Sequence, residues 1–260
     1  FFQVCCNILL SCIVSHKTEI MKKWIFSLFT LSIALFATAQ ETKIEDPNAE
    51  KRTIKPFHSV KVGDGIDLYL SQSTEESVVA SASREEYRNR LKTEVEDGLL
   101  KIYYDRESFS DWTSSGKKLK VYVSFKTLSK LTATAGSHVK VEGAIKENVL
   151  NLFLRSGAQF KGTVAVGKLL VETESGASST LTGSAGEFHI SANSGARMKA
   201  YDLAAGKADI RSTSGAKVEV TVNDEMKLYS SSGGSIHYKG KGKISEVGTN
   251  IGAVIRRTDS

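Results

Sequence analysis

One three-residue turn recurs along the chain and limits its fold more than any other feature. It reads Ala135-Gly136-Ser137, Ser156-Gly157-Ala158, Ser175-Gly176-Ala177, Ser194-Gly195-Ala196, Ser214-Gly215-Ala216, Ser232-Gly233-Gly234 and Ile251-Gly252-Ala253, with glycines 21, 19, 19, 20, 18 and 19 residues apart. A period this steady marks a stack of repeated supersecondary units.

Aligned on the glycines, the units share a burial code. Five residues before the glycine stand Leu131, Leu152, Val171, Ile190, Ile210, Leu228 and Val247; three after it stand Val139, Phe160, Ser179, Met198, Val218, Ile236 and Ile255. Odd offsets are apolar or small and even offsets mostly polar, which is the period of a strand with one buried face. A unit this short cannot bury that face alone, so each copy stacks on the next. The fold class expected is all-β, a right-handed parallel β-helix or solenoid-like body with repeats of about 19 residues. A meandering β-sandwich also gives strands at regular spacing, but it does not predict one apolar column seven times. Gly136, Gly157, Gly176, Gly195, Gly215 and Gly233 are read as structural corners needing positive φ, and the serine that precedes all but Gly136 as a donor and acceptor along a corner ladder.

The segment ahead of the repeats belongs to the same body. Val60, Val62, Ile66, Leu68 and Leu70 flank Gly65 at the same odd offsets. Short strands are expected at 77–83, 99–104 and 119–125, a turn or two of helix at 84–91, and a polar loop holding Phe109 and Trp112. At the far end Arg257 takes an inward offset, so the coil pattern stops there and Arg256 to Ser260 discourage end-to-end pairing.

Met21-Lys22-Lys23, the apolar run Trp24 to Phe36 and Ala37-Thr38-Ala39 have the layout of a signal peptide over 21–39. Residues 1–20 are read as upstream sequence, 40–55 as a linker and 56–256 as a single solenoid domain. Cys5, Cys6 and Cys12 then fall outside the mature chain, which is exported without disulfides and relies on its core. Setting aside Lys17, Glu19, Lys22 and Lys23 leaves 32 basic and 28 acidic residues, a balance of +4 that does not suit a dedicated nucleic-acid binder. No apolar run in the mature chain is long enough to span a membrane.

Phe57-x-x-Val60-x-Val62-x-x-Gly65-Ile66-Asp67-Leu68-x-Leu70, Asp97-Gly98-Leu99-Leu100-Lys101-Ile102 and the Ser-Gly-Ala turns together resemble the auto-transporter adhesin head GIN domain family of Bacteroidetes. The resemblance covers about 55–245. It implies a β-helix-like body in the cell envelope or outside it, with an adhesin-type role. Nothing after Val254 suits a membrane barrel, so periplasm stands beside the cell surface as the expected location.

The sequence offers little catalytic chemistry. His138, His189 and His237 occupy different columns and His58 lies outside them, so no metal cluster is expected; no nucleophile elbow or phosphate loop is present, and no cofactor is expected. Arg155 is placed to pair with Glu174 one coil away. Lys140, Lys161, Arg197, Lys199 and Lys217 share the outward columns after the glycine, with Ser178 and Thr180 interrupting them. Such a strip suits an anionic glycan or lipopolysaccharide, although exposed strand lysines also guard against aggregation. Phe153 and Tyr229 offer apolar contact on the opposite strip. The expected function is a non-enzymatic exported binding module or adhesin. The alternatives are a self-associating, homo-oligomeric envelope protein and a carbohydrate-active β-helix enzyme.

Overall fold

The recurrent turn works because both its central residues adopt left-handed backbone. Ser175 has φ 54° and Gly176 φ 72°, and the pairs at 156–157, 194–195 and 214–215 repeat these values. Two successive positive φ angles make a type I′ turn, closed where Ala177 N donates to Glu174 O at 3.2 Å. The sequence assigns this strain to glycine alone. The serine shares it, at a cost of roughly 1–2 kcal/mol for an L-residue. What holds it is a backbone ladder between coils: Gly157 N donates to Ser175 O (3.1 Å), Gly176 N to Ser194 O (3.0 Å) and Gly195 N to Ser214 O (3.0 Å). The corner ladder expected of the serine side chain thus runs through the serine carbonyl.

Between turns the backbone is extended. The computed structural model describes residue 46, residues 48–106 and residues 116–258. Five long strands carry the repeats: β9 (His138–Leu154), β10 (Gln159–Thr173), β11 (Ser178–Ala192), β12 (Arg197–Ser212) and β13 (Lys217–Ser230). Each pairs with the next in parallel, so the expected β-solenoid is the observed architecture. The inward columns fall where the alternation places them: Leu152, Val171, Ile190, Ile210 and Leu228 are buried, as are Val139, Phe160, Met198, Val218 and Ile236, all in one core. Ser179, the polar member of the second column, is buried with them.

A second corner escaped the sequence reading. Val164 and Val166 point inward, Gly167 and Lys168 both point outward, and burial resumes at Leu169. The chain bends here onto a second sheet face, and Gly167, Gly186 and Gly206 stack at the bend. A Cβ on Gly186 would sit 2.7 Å from Gly167 O, and one on Gly206 would sit 2.8 Å from Gly186 O. Close backbone approach, not left-handed φ, requires glycine at this column. Unequal repeat lengths are absorbed mainly between the fourth residue after the Ser-Gly turn and this bend, through register shifts at Lys161/Thr163, Thr180/Gly183 and Ala200/Ala204, with further shifts across the bend at Ala205/Lys207 and beyond it at Met226/Lys227.

The stack continues upward through Gly65, as its offsets indicate. β2 (Ser59–Val62) and β3 (Asp67–Gln72) flank Asp64-Gly65 and lie on β8 (Lys130–Ala133) and β9, pairing Val60 with Leu131 and Leu68 with Val139. Above them run β6 (Leu99–Tyr104) on β2 and β7 (Lys120–Phe125) on β3. The parallel order then ends. β5 (Leu91–Glu96) covers β6 and β4 (Ser77–Ser81) covers β7, both antiparallel, with helix α1 (Glu85–Arg90) between β4 and β5 in the chain. β5 was not anticipated, because Lys92, Glu94 and Glu96 leave it few apolar residues.

The reading of 40–55 as a linker is corrected in part: β1 (Glu50–Arg52) pairs antiparallel with β4. Asp46 is anchored too, accepting from Tyr122 Oη at 2.6 Å and Lys120 Nζ at 3.0 Å. Pairing outweighs the polarity of this stretch, because an edge strand needs only one partner. The readings of 1–20 and 21–39, and Phe109 and Trp112, lie outside the described residues. At the other end β14 (Ser235–Lys239), β15 (Lys243–Thr249) and β16 (Val254–Arg257) form the last coil, with Val247 59% and Ile251 82% exposed. Arg257 is exposed at its inward offset and donates to Gly240 O at 3.0 Å.

Two outcomes follow. Gly186→Ala should cost about 1–3 kcal/mol in denaturant unfolding, since the added methyl meets backbone that cannot rotate away. Ser184→Ala, exposed on the same strand, should change stability by less than about 0.5 kcal/mol. For the Asp46 anchor, the Tyr122 hydrogen bond and then Lys120 hold the carboxyl below the ordinary 3.8, against the opposing effect of burial. A lowered carboxyl pKa contributes stability that is full above the ordinary value and lost as pH falls through the depressed one. The Tm difference between the wild type and Asp46→Asn should therefore be constant above about pH 5 and should shrink below pH 4. A difference that grew on acidification would contradict this.

Candidate ligand-binding face

The first sheet, formed by residues following each Ser-Gly turn, runs β1-β4-β7-β3-β9-β10-β11-β12-β13-β14-β16. Its outward columns are the second and fourth residues after each glycine. Because neighbouring coils are in register there, equivalent residues sit side by side, about 4.8 Å apart. Lys140 is paired with Lys161, and Arg197 with Lys217. Thr180 stands between Lys161 and Lys199, and Ser178 beside Arg197. The five predicted cations therefore share one face as two groups separated by a hydroxyl-bearing coil.

Their electrostatic situations differ. Lys217 Nζ lies 2.6 Å from Glu219 Oε1 and is compensated. Among the described residues Lys140, Lys161, Arg197 and Lys199 make no ion pair, whereas His138 nearby meets Asp67 at 3.3 Å. Like charges on directly paired positions cost a sheet roughly 0.2–1 kcal/mol.

The second sheet follows the opposite rule. Down its first outward column after the bend, Lys168, Glu187, Lys207, Glu225 and Lys243 are successive partners, and every neighbour has the opposite sign. Lys168 and Glu187 approach to 3.6 Å, and Lys227 and Glu246 to 3.4 Å in the next column. The expected Arg155–Glu174 pair is present at 2.5 Å, with Glu172 at 3.8 Å from the same guanidinium.

Aromatic rings extend the first sheet's strip in a way the sequence reading missed. Tyr69 and Tyr122 stack at 4.9 Å, and Lys140 Nζ lies 6.0 Å from the Tyr69 ring centre on the next coil. The signal was available: Tyr69 is the fourth residue after Gly65, the column of Lys140 and Lys161. Burial and the Asp46 hydrogen bond push the Tyr122 hydroxyl well above the ordinary tyrosine range, so it remains a donor to Asp46. On the second sheet Phe153 and Tyr229 each carry a cation, Lys130 at 5.0 Å and Arg211 at 5.8 Å from the ring centres.

The histidines stay apart, and among the described residues no group of three or more His, Cys, Asp or Glu side chains is placed to hold a metal ion. Among them, too, no helix is long and apolar enough to cross a membrane.

The same architecture occurs in solved structures. A crystal structure described as a putative adhesin from Bacteroides fragilis NCTC 9343 superposes with a TM-score of 0.72 at 18% identity, covering 81% of this chain and 96% of that one. A putative adhesin from Parabacteroides merdae ATCC 43184 gives a TM-score of 0.61 at 18% identity, covering 81% and 95%. A protein described as a putative lipid binding protein, from Parabacteroides distasonis ATCC 8503, gives 0.61 at 19%, covering 83% and 98%. At these identities the likeness establishes the fold. Among curated proteins there is no significant match. The family model described as "Putative auto-transporter adhesin, head GIN domain" matches residues 56–242, most of the chain and nearly all of the solenoid. With its turns, columns and capped stack accounted for, the chain belongs to the auto-transporter adhesin head GIN domain family.

Proposed function

We propose that this chain is a non-enzymatic, exported binding module of the cell envelope, acting in the periplasm or at the cell surface. Its first sheet would take an anionic polymer, an acidic glycan or lipopolysaccharide. The observation that carries this reading is a contrast in stacking: the first sheet pairs Lys140 with Lys161 and Arg197 with Lys217, although Lys199 is paired with Glu219, while the column from Lys168 to Lys243 on the second sheet alternates sign at every coil. A flat strand face with unopposed cations bears a folding cost that a bound polyanion reverses. Membership of an adhesin family supports a binding role, and the lipid-binding description of one structural neighbour accords with a ligand bearing phosphate and sugar.

Self-association is the second reading. It is favoured by the last coil, where Val247 on β15, Ile251 in the turn and Val254 on β16 are exposed and, among the described residues, no antiparallel strand covers them. Light scattering decides it: a monomer at every accessible concentration removes this reading.

The strip makes a two-sided prediction. Lys161→Glu places a carboxylate beside Lys140 and should raise stability by about 0.2–1 kcal/mol. Combined reversal of Lys140, Lys161 and Lys199 to Glu should abolish retention on immobilised lipopolysaccharide at low salt, and wild-type retention should fall as salt rises. Undiminished binding by the triple variant would exclude the strip. Turnover of an anionic polysaccharide by the purified protein would overturn the non-enzymatic reading.

A further inference from the structure

On the second sheet a group of cations lies outside the compensated ladders. A groove there is lined by Ser59, Lys61, Lys130, Thr132, Phe153 and Arg155. Register builds it: on β2, β8 and β9, Ser59 is paired with Lys130, Lys61 with Thr132, and Thr132 with Phe153. Lys61 and Lys130 therefore occupy diagonal positions on adjacent strands. Lys130 Nζ lies 5.0 Å from the Phe153 ring centre. Arg155 is already engaged by Glu174 and Glu172, but among the described residues Lys61 and Lys130 make no ion pair. The groove thus offers two uncompensated ammonium groups, the Thr132 hydroxyl and a half-buried phenyl ring within one concave patch.

Each component narrows the ligand. A free inorganic anion would use the lysines and leave the ring idle. A neutral sugar would use the ring and leave two cations unopposed. A pyranose bearing a carboxylate uses all of them: its charge draws the Lys130 ammonium off the Phe153 ring to sit with Lys61, and its C–H face takes the ring in its place. We propose that this groove is a second saccharide site, specific for a uronic-acid residue and separate from the first sheet's strip. The two sites lie on different sheets, the groove on strands before each Ser-Gly turn and the strip on strands after it. One module then holds two polymer chains at once, a cross-linking geometry that the strip alone does not provide.

The test removes the strip first. Trigalacturonate is titrated into the protein carrying Lys140→Glu, Lys161→Glu and Lys199→Glu, and backbone amide shifts are followed. Saturable shifts are expected at Lys61, Lys130, Thr132 and Phe153. Adding Lys61→Glu with Lys130→Glu should weaken binding at least about tenfold, and adding Phe153→Ala about three- to tenfold. The methyl-esterified trisaccharide should bind as weakly as the charge-reversed protein binds the acid. The amide spectrum reports in the same experiment that each variant remains folded. An absence of shifts on β2, β8 and β9 overturns the site. Equal binding of the ester overturns its acid specificity. Insensitivity to Phe153→Ala, with orthophosphate producing the same shifts, reduces it to a plain anion site and overturns the saccharide assignment. The strip fails independently, if the triple reversal leaves binding to lipopolysaccharide unchanged.

Discussion

Everything in this structure depends on the backbone ladder at the Ser-Gly corner. From Gly136 to Gly215 each glycine N–H donates to the serine carbonyl of the next coil, and Gly65 and Gly233 donate to the equivalent Ala135 and Ile251 carbonyls, so a turn with two left-handed residues is stable only when another turn stacks on it. An isolated copy would keep the strain of the serine and lose the hydrogen bond that offsets it. Cooperation between coils is therefore built into the turn itself, beside the apolar columns that neighbouring coils bury together.

Stacking near-identical coils has an electrostatic consequence. Every outward residue lies beside its own equivalent, so a column of one residue type is a column of one charge. The second sheet avoids this by alternating lysine and glutamate. That alternation also opposes slippage, because sliding one coil past its neighbour brings like charges together. The first sheet keeps Lys140 beside Lys161 and Arg197 beside Lys217. All the unequal repeat lengths are taken up beyond these positions, so the cationic columns stay in register.

The two ends of the stack are finished differently. The N-terminal end reverses strand direction, and β4, β1 and β5 give the parallel sheets antiparallel borders. Asp46 fastens that border through Tyr122 and Lys120. The C-terminal end keeps its parallel order to β15 and β16, with Val247 and Ile251 facing solvent and a polar run of Arg256 and Arg257 as its finish.

The sequence by itself determined the solenoid. The glycine period, the odd-offset columns and the place of Gly65 were all legible because they depend on residues near in the chain and on a period that repeats them. It also placed Lys140, Lys161, Arg197, Lys199 and Lys217 on one face, and Arg155 beside Glu174. The second corner at Gly167, Gly186 and Gly206 was present as a column but went unread, since its reason is contact between coils and not a local φ. Only the tertiary structure decided which cations are neutralised, because Glu219, paired in register with Lys199, turns to Lys217 at 2.6 Å, and among the described residues Lys161 and Lys199 make no ion pair. It alone brought Tyr122 onto Tyr69 and set Lys61 and Lys130 around Phe153, where pairing crosses loops that follow no period. Periodicity fixes a residue's column; the partners within that column depend on how many residues lie in between.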